Sequence, residues 1–399
     1  MASSSYVPRS VSSTLAALSL SYLDTCRYFN RKPNPFIPQS LQLLQAEHRK
    51  HTGSSKEITL KIAGNNHLIP VQRLSDEDLE ILTYVLRPLK NVTGLDVRYN
   101  LITDKGALAV QRLLQEMQNI TYLNLMFNDI KTEGGEVIAK ALHRNQTLKH
   151  LRMTGNKIEN KGGMFFAAML QINSSLEKLD LGDCDLEEST IHISHMLKTN
   201  STLIELHMCK HDIKNFGMQR LCEALSVNTC LRYLDVSCNR ITCDAMKYLG
   251  ELLKSNNVLE VIDLSSNRIE DEGSMYLAEA LAFYNTSLKA LSIVSNNITG
   301  RGLTAFSNSM KTNTTLSNIY IWGNKFDNET CVAFANLITS GRLKLDNIDV
   351  EPYVVDNCVY LAELSHGIKK HYYWTPSYGE IDGATANAGL ALVPTAKNL

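Results

Sequence analysis

LRYLDVSCN, residues 231–239, places apolar side chains at Leu231, Leu234 and Val236 and an asparagine at its ninth position. The same frame, LxxLxLxxN, recurs as VTGLDVRYN (92–100), ITYLNLMFN (120–128), LKHLRMTGN (148–156) and LEKLDLGDC (176–184). It continues as LIELHMCKH (203–211), LEVIDLSSN (259–267), LKALSIVSN (288–296) and LSNIYIWGN (316–324). The ninth positions fall at 100, 128, 156, 184, 211, 239, 267, 296 and 324, a spacing of 27 to 29 residues that unrelated domains would not keep.

The second half of each copy reads as a helix. A glycine stands six residues past the slot at 106, 134, 162, 217, 273 and 302, and apolar pairs such as Ile138 and Leu142 or Leu277 and Leu281 fall on one helical face. Asn145, Asn173, Asn200, Asn228, Asn256, Asn285 and Asn313 close most of these segments. Asparagine tolerates the left-handed conformation that ends a helix, so that backbone is expected at these seven positions. Each unit is then one short strand followed by one helix. Neither can bury its apolar face alone, so successive units must stack.

This grammar resembles the leucine-rich repeats of ribonuclease-inhibitor type over about residues 90–340. The resemblance implies an α/β leucine-rich repeat solenoid, a horseshoe with parallel strands on its concave face and helices on its convex face. The family accepts asparagine or cysteine at the ninth position, which Cys184 follows and His211 does not. Those two residues should lie about 5 Å apart in adjacent strands. A pair is too few ligands for a metal, and no metal or cofactor is expected.

Five regions follow: an N-terminal extension (1–50), partly disordered or docked; a degenerate capping repeat (51–91); the repeats proper (92–340); a C-terminal cap (341–370); and an aromatic non-repeat tail (371–399). Ser75 reads as a helix cap with acidic residues in the first turn. LQLLQAEHRK (41–50) reads as a docked helix, and VYLAELSHGIKK (359–370) as a closing helix.

Function is bounded by what is missing as much as by what repeats. Forty Lys and Arg against 41 Asp and Glu give a net charge of -1, so direct nucleic-acid binding is not expected. No apolar run reaches membrane-spanning length, and serines interrupt the first thirty residues before they could serve as a secretory signal. Nine cysteines without CxxC pairs suit a reducing compartment. The N-x-[ST] matches, such as Asn145-Gln146-Thr147, arise from the repeat grammar.

The residues flanking the central strand position should point into the concavity. One row reads Asp96, Asn124, Arg152, Asp180, His207, Asp235, Asp263, Ser292 and Tyr320; the other ends at Trp322. Protein-binding candidates are therefore Tyr99, Tyr122, Phe127, Asp180, His207, Asp235, Asp263, Tyr320 and Trp322, joined by Tyr373 and Trp374 in the tail. Asp235 and Asp263 are expected as adjacent like charges facing a basic partner. His207 lies among aspartates and near Ser237 and Ser265, but an open face without a shielded pocket argues against catalysis.

The expected function is a non-catalytic protein-protein interaction scaffold of cytoplasm and nucleus, nucleolus included. Similarity to a vertebrate subgroup of these repeat proteins extends to the non-repeat ends and implies a role in germ or stem cell development and ribosome-related nucleolar processes. A structural component of a motile-cilium or sperm-flagellum axoneme, with axonemal subunits as partners, and a protein inhibitor of an enzyme are the alternatives.

Overall fold

The computed structural model describes residues 11–50 and 57–364, which divide into two compact units at residue 176. The first holds α1 (Val11–Tyr28), α2 (Phe36–Lys50), β1 (Ile58–Lys61), α3 (Asp76–Leu86), β2 (Val92–Asp96), α4 (Asp104–Glu116), β3 (Tyr122–Asn124), α5 (Thr132–Arg144), β4 (His150–Arg152) and α6 (Glu159–Leu170). Its four strands are parallel and neighbour one another in chain order, with Leu95, Leu123 and Leu151 in register.

The second unit alternates β5 (Lys178–Asp180), α7 (Thr190–Leu197), β6 (Glu205–His207), α8 (Lys214–Leu225), β7 (Tyr233–Asp235) and α9 (Cys243–Ser255). It continues with β8 (Val261–Asp263), α10 (Glu270–Phe283), β9 (Ala290–Ser292), α11 (Gly300–Thr312), β10 (Asn318–Tyr320) and α12 (Asn328–Thr339). These six strands are again parallel and consecutive. The frame leucines and the apolar helix faces are buried together between sheet and helices, as at Leu234, Val236, Leu249 and Leu253. Burying them removes apolar area from water, the term that holds each unit onto its neighbour.

The ninth-position asparagines do what their chemistry allows. Asn128 donates from Nδ2 to the carbonyls of Val97 and Leu125, at 3.1 and 2.9 Å, and accepts the Ile102 N–H on Oδ1 at 3.2 Å. Asn267 makes the same set with Val236, Leu264, Asn239 and Ile241. Each amide thus satisfies buried backbone groups of its own repeat and of the preceding one. The residue just before the slot always turns left-handed, from φ 51 at Asp183 to φ 78 at Gly155, which swings the strand's last carbonyls toward the amide.

At slot 211 the imidazole Nδ1 accepts the Leu186 N–H at 3.2 Å, while buried Nε2 has no hydrogen-bond partner. Burial pushes the His211 pKa down to about 4 against the smaller opposing pull of the Leu181 carbonyl, so the ring is neutral near pH 7.

The asparagines that close the helices correct one expectation. Asn145, Asn256 and Asn313 have φ -79, -75 and -73 with ψ near 130, which is extended and not left-handed. Their role is again amide chemistry. Asn313 donates to Leu281 and Asn285 carbonyls of the previous repeat, at 2.8 and 2.9 Å, and accepts the N–H of Thr315 and Leu316 at 2.9 and 2.7 Å. The N-x-[ST] pattern is this turn, and Asn145, Asn173 and Asn313 are buried in it.

A further stitch had no sequence reading. Asp104, at the start of α5's predecessor α4, accepts the Lys131 and Gly134 N–H at 2.7 and 2.9 Å, capping α5 from one repeat away. A Cβ on Gly134 would meet the Asp104 Oδ1 at 2.5 Å, which is why glycine stands six residues past the slot there.

Of the 1–50 extension, expected to be partly disordered or docked, residues 11–50 are largely helical, with Leu15, Leu18, Tyr22, Phe36 and Leu41 buried. The Tyr22 hydroxyl accepts the Asn34 N–H at 3.0 Å and Asn34 donates to Asp78 at 2.9 Å, which ties the extension to the first capping helix. Ser75 forms the expected cap as a full box, exchanging bonds with Asp78 at 3.2 and 3.0 Å.

At the other end the expected closing helix over residues 359–370 is a strand as far as it is described. Val350–Val355 (β11) and Cys358–Glu363 (β12) form an antiparallel hairpin. Asp356 and Asn357, at φ 50 and 61, supply the two left-handed residues of a tight hairpin turn, and β-branched and aromatic neighbours favour strands. The 371–399 tail, with Tyr373 and Trp374, lies outside the described residues.

Asp349 closes the sheet. Its two carboxylate oxygens accept the N–H groups of Ile321 and Trp322 at 2.8 and 3.0 Å. In the preceding repeat Ile293, the counterpart of Ile321, donates its N–H to the Tyr320 carbonyl. One side chain therefore replaces the next strand's backbone. Burial lifts its pKa to about 6 despite those two bonds.

Two outcomes follow from these contacts. Asn128→Ala leaves the Ile102 N–H unbonded and removes one of two amide donors from the Val97 and Leu125 carbonyls, which Asn100 and Asn156 still reach. It should cost about 1–3 kcal/mol in urea unfolding, whereas His211→Asn restores the ladder and should gain about 1 kcal/mol. Asp349→Ala should accelerate hydrogen exchange at Ile321 and Trp322 by tenfold or more (roughly 1.4 kcal/mol per tenfold) before exchange quickens elsewhere in the second unit.

Candidate functional site

The face of the sheet turned away from the helices carries the strand residues on either side of each frame leucine. Its expected exposure is corrected by the structure. Tyr122 is 9% exposed, and Asp180, His207, Asp235, Asp263 and Tyr320 are 0 to 2% exposed. Parallel strands spaced by about 5 Å bring equivalent side chains into contact, and long polar groups then cover one another.

In the second unit the contacts are ionic. His207 lies between two carboxylates, with Nε2 2.8 Å from Glu205 and Nδ1 3.2 Å from Asp235. Lys178 reaches Glu205 at 3.3 Å. Burial alone would push the imidazole down, but Asp235 and Glu205 outweigh it and raise its pKa to about 9, so the ring is an imidazolium at neutral pH. Burial likewise pushes Glu205 up, and His207 and Lys178 together hold it below the usual carboxylate range. Tyr233 packs on the imidazolium at 4.8 Å between ring centroids and joins Val261, Ala290 and Tyr320 in an apolar cluster on the same face.

Asp235 and Asp263 are in register, as their spacing predicts. Their expected role as a matched pair of unanswered charges is corrected for Asp235, which answers His207 and also accepts the Ser237 N–H at 2.9 Å. Asp263 accepts the N–H and hydroxyl of Ser265 at 2.9 and 2.5 Å, and that hydroxyl lies 2.6 Å from Ser292. Ser265 is thus engaged with Asp263 and Ser292, and His207 with two carboxylates. A doubly anchored imidazolium has no free base nitrogen with which to activate a serine.

In the first unit Tyr122 accepts the Asn124 amide at 3.3 Å, and its phenol is pushed up by burial and by Asp96. Arg98 lies 3.6 Å from Asp96.

The remaining candidates sit on the rim where strands exit. Tyr99 and Phe127 occupy equivalent left-handed positions, φ 59 and 52, and stack with centroids 4.6 Å apart and planes at 17°. Phe127 is 37% exposed. At the far end of the second unit Trp322 is half-buried and tilts against Phe326 at 6.0 Å. Phe326 was missed by sequence reasoning because it falls two residues past the slot, outside the strand frame.

Cys222 is buried in its helix, its thiol pushed up to about 12 by burial, while Cys209 is half-buried. His211, the sole imidazole at a ninth position, already spends Nδ1 on a backbone N–H. Among the described residues no cluster of three or more His, Cys, Asp or Glu side chains has metal-binding geometry. No helix among them is long and apolar enough to cross a membrane.

Strand, amide slot and helix, repeated in register with a packed polar row on the strand face, define a leucine-rich repeat protein. A family model described as Leucine Rich repeat matches residues 89–110, 116–139, 144–167, 227–250, 255–278 and 284–307. The chain belongs to the leucine-rich repeat-containing protein 34 family. It is 61% identical to the mouse protein of that name over 96% of this chain and 99% of the relative. It is 59% identical to the human protein over 95% and 88%, and 60% identical to the rat protein over 95% and 98%.

The His207 cluster yields a pH dependence. The folded imidazole holds its proton to about pH 9 and an unfolded histidine to about 6.5. Its stabilisation is therefore complete below pH 6.5 and lost as pH rises through 9, by up to about 3 kcal/mol. Urea unfolding between pH 6.5 and 9.5 should show that decline, and His207→Gln should flatten it.

Proposed function

We propose that the chain is a non-catalytic protein-protein interaction scaffold whose first contact is the strand-exit rim. The Tyr99–Phe127 stack carries this reading. Two aromatic rings held at fixed left-handed positions offer rigid apolar area with little conformational entropy left to lose, the property of an interface anchor. Membership of a repeat family built for extended surfaces supports the same conclusion.

The partner surface we infer is basic. Asp180, Glu205, Asp235 and Asp263 outnumber Lys178 and His207 along the second unit's strand face, so the row stays net negative after its internal pairing. Its setting in this proposal is germ or stem cell development and ribosome-related nucleolar processes, in cytoplasm and nucleus. That assignment rests on whole-chain similarity.

Purification of tagged chain from testis under reducing conditions, with residue-level crosslinking, tests both levels. Phe127→Ala and Tyr99→Ala should each reduce recovery of the crosslinked partner fivefold or more without lowering the melting temperature. Unchanged recovery from both variants would overturn the rim as anchor. A stable nucleolar complex supports the proposed setting, whereas crosslinks to tubulin-associated proteins would move the chain to the axoneme.

A further inference from the structure

The outer helices of the first unit enclose a groove of about 490 Å³ that the strand-face reading does not use. Its floor is Ala139 on α5 with Ala168, Met169 and half-buried Phe165 on α6, and Ile172, 62% exposed, extends the apolar surface past the end of α6. The dent has a sequence cause. Twelve residues past the slot the other repeats carry long side chains such as Arg112, Lys140, Glu223, Glu251 and Glu279, where this repeat has Ala168.

Charge around the groove is one-sided at the C-terminal end of α5. Lys140, His143 and Arg144 line it. Lys140 is paired with Glu136 at 2.6 Å, while exposed Arg144 meets no carboxylate among the described residues. Lys161 lies over the Phe165 ring at 5.9 Å, adding a cation beside the floor. The opposite rim, Gln111 and Gln115 of α4, is uncharged.

We propose that this α4–α5–α6 groove docks an acidic amphipathic helix of a partner protein, its apolar face on Ala168 and Phe165 and its carboxylates at Arg144. The shape and chemistry favour that occupant. Parallel neighbouring helices leave a linear trough suited to a third helix, and the apolar floor gives a nucleic-acid backbone nothing to bind. The site is distinct from the strand-exit rim, so either can fail without the other.

Fluorescence anisotropy of the full chain with two labelled helical peptides provides the test, one built of leucine and glutamate with apolar residues at i, i+4, i+7 and i+11, the other with lysine for glutamate. The glutamate peptide should bind saturably and at least tenfold more tightly than the lysine peptide. Ala168→Arg, an exposed position where folding is preserved, should abolish binding by filling the trough. The double variant His143→Glu, Arg144→Glu should reverse the preference. Absence of saturable binding, indifference to Ala168→Arg, equal affinity for both peptides, or displacement by an RNA oligomer as effective as unlabelled peptide would each overturn the proposal. Phe127→Ala should leave the affinity unchanged.

Discussion

Everything in this fold depends on satisfying the backbone where a strand turns into a helix and back again. A three-residue strand offers few ladder bonds, and the turns at either end bury N–H and carbonyl groups that water cannot reach. An unmet donor or acceptor of that kind costs about 1–3 kcal/mol, and the debt recurs in every repeat. Asparagine meets it because one short side chain carries two donors and an acceptor in a plane. The structure uses it twice per repeat, after the strand at positions such as Asn239 and after the helix at positions such as Asn285. Both amides reach back to the previous repeat, so the local turn and the stacking are held by the same atoms.

That dependence explains where the array is irregular. Cys184 offers a single weak donor, directed at Gly182 at 3.4 Å, and His211 fills its slot with one ring nitrogen bonded and the other without a partner. Between them lies α7, at eight residues the shortest α-helix among the described elements. The buried ions Lys178, Glu205 and His207 fall in the strands of these same two repeats. Side chains on adjacent parallel strands are held at fixed separation whatever their charge, so a buried row must alternate or pair. Glu205 and Asp235 on either side of His207 meet that requirement, and removing one partner would leave a buried charge uncompensated.

The repeat register was legible in the sequence because its cause acts once per repeat and leaves its mark at a fixed position. The use made of a residue was less legible than its place. Asn313 stands where periodicity puts it, yet its extended backbone shows that the side chain was selected for amide bonding and not for left-handed tolerance. The left-handed position that every repeat shares precedes the ninth slot and carries Tyr, Phe, Asp, Lys, Cys or Ser as readily as Gly, so composition hides it. Exposure of the strand row is hidden from the sequence for a related reason: alternation fixes the face on which His207 lies, but not whether that face is covered. The β11–β12 hairpin turns on two residues, Asp356 and Asn357, and VYLAEL alone suits either period.

A fold so constrained also limits where recognition can evolve. Frame leucines, slot amides and the strand row are each tied to neighbours on both sides, and a change at any of them is paid for by an adjacent repeat. The rim positions before each slot need only a tolerable left-handed backbone, and the outward helix positions need only helix propensity. These are the places where Tyr99 and Phe127 stack and where Ala168 opens the trough beside Arg144. The strand face, with His207 clamped between carboxylates, supplies long-range charge and rigidity. In the proposed scaffold, partner choice falls to residues whose replacement leaves the backbone ladder intact, which would let binding change without endangering the stack.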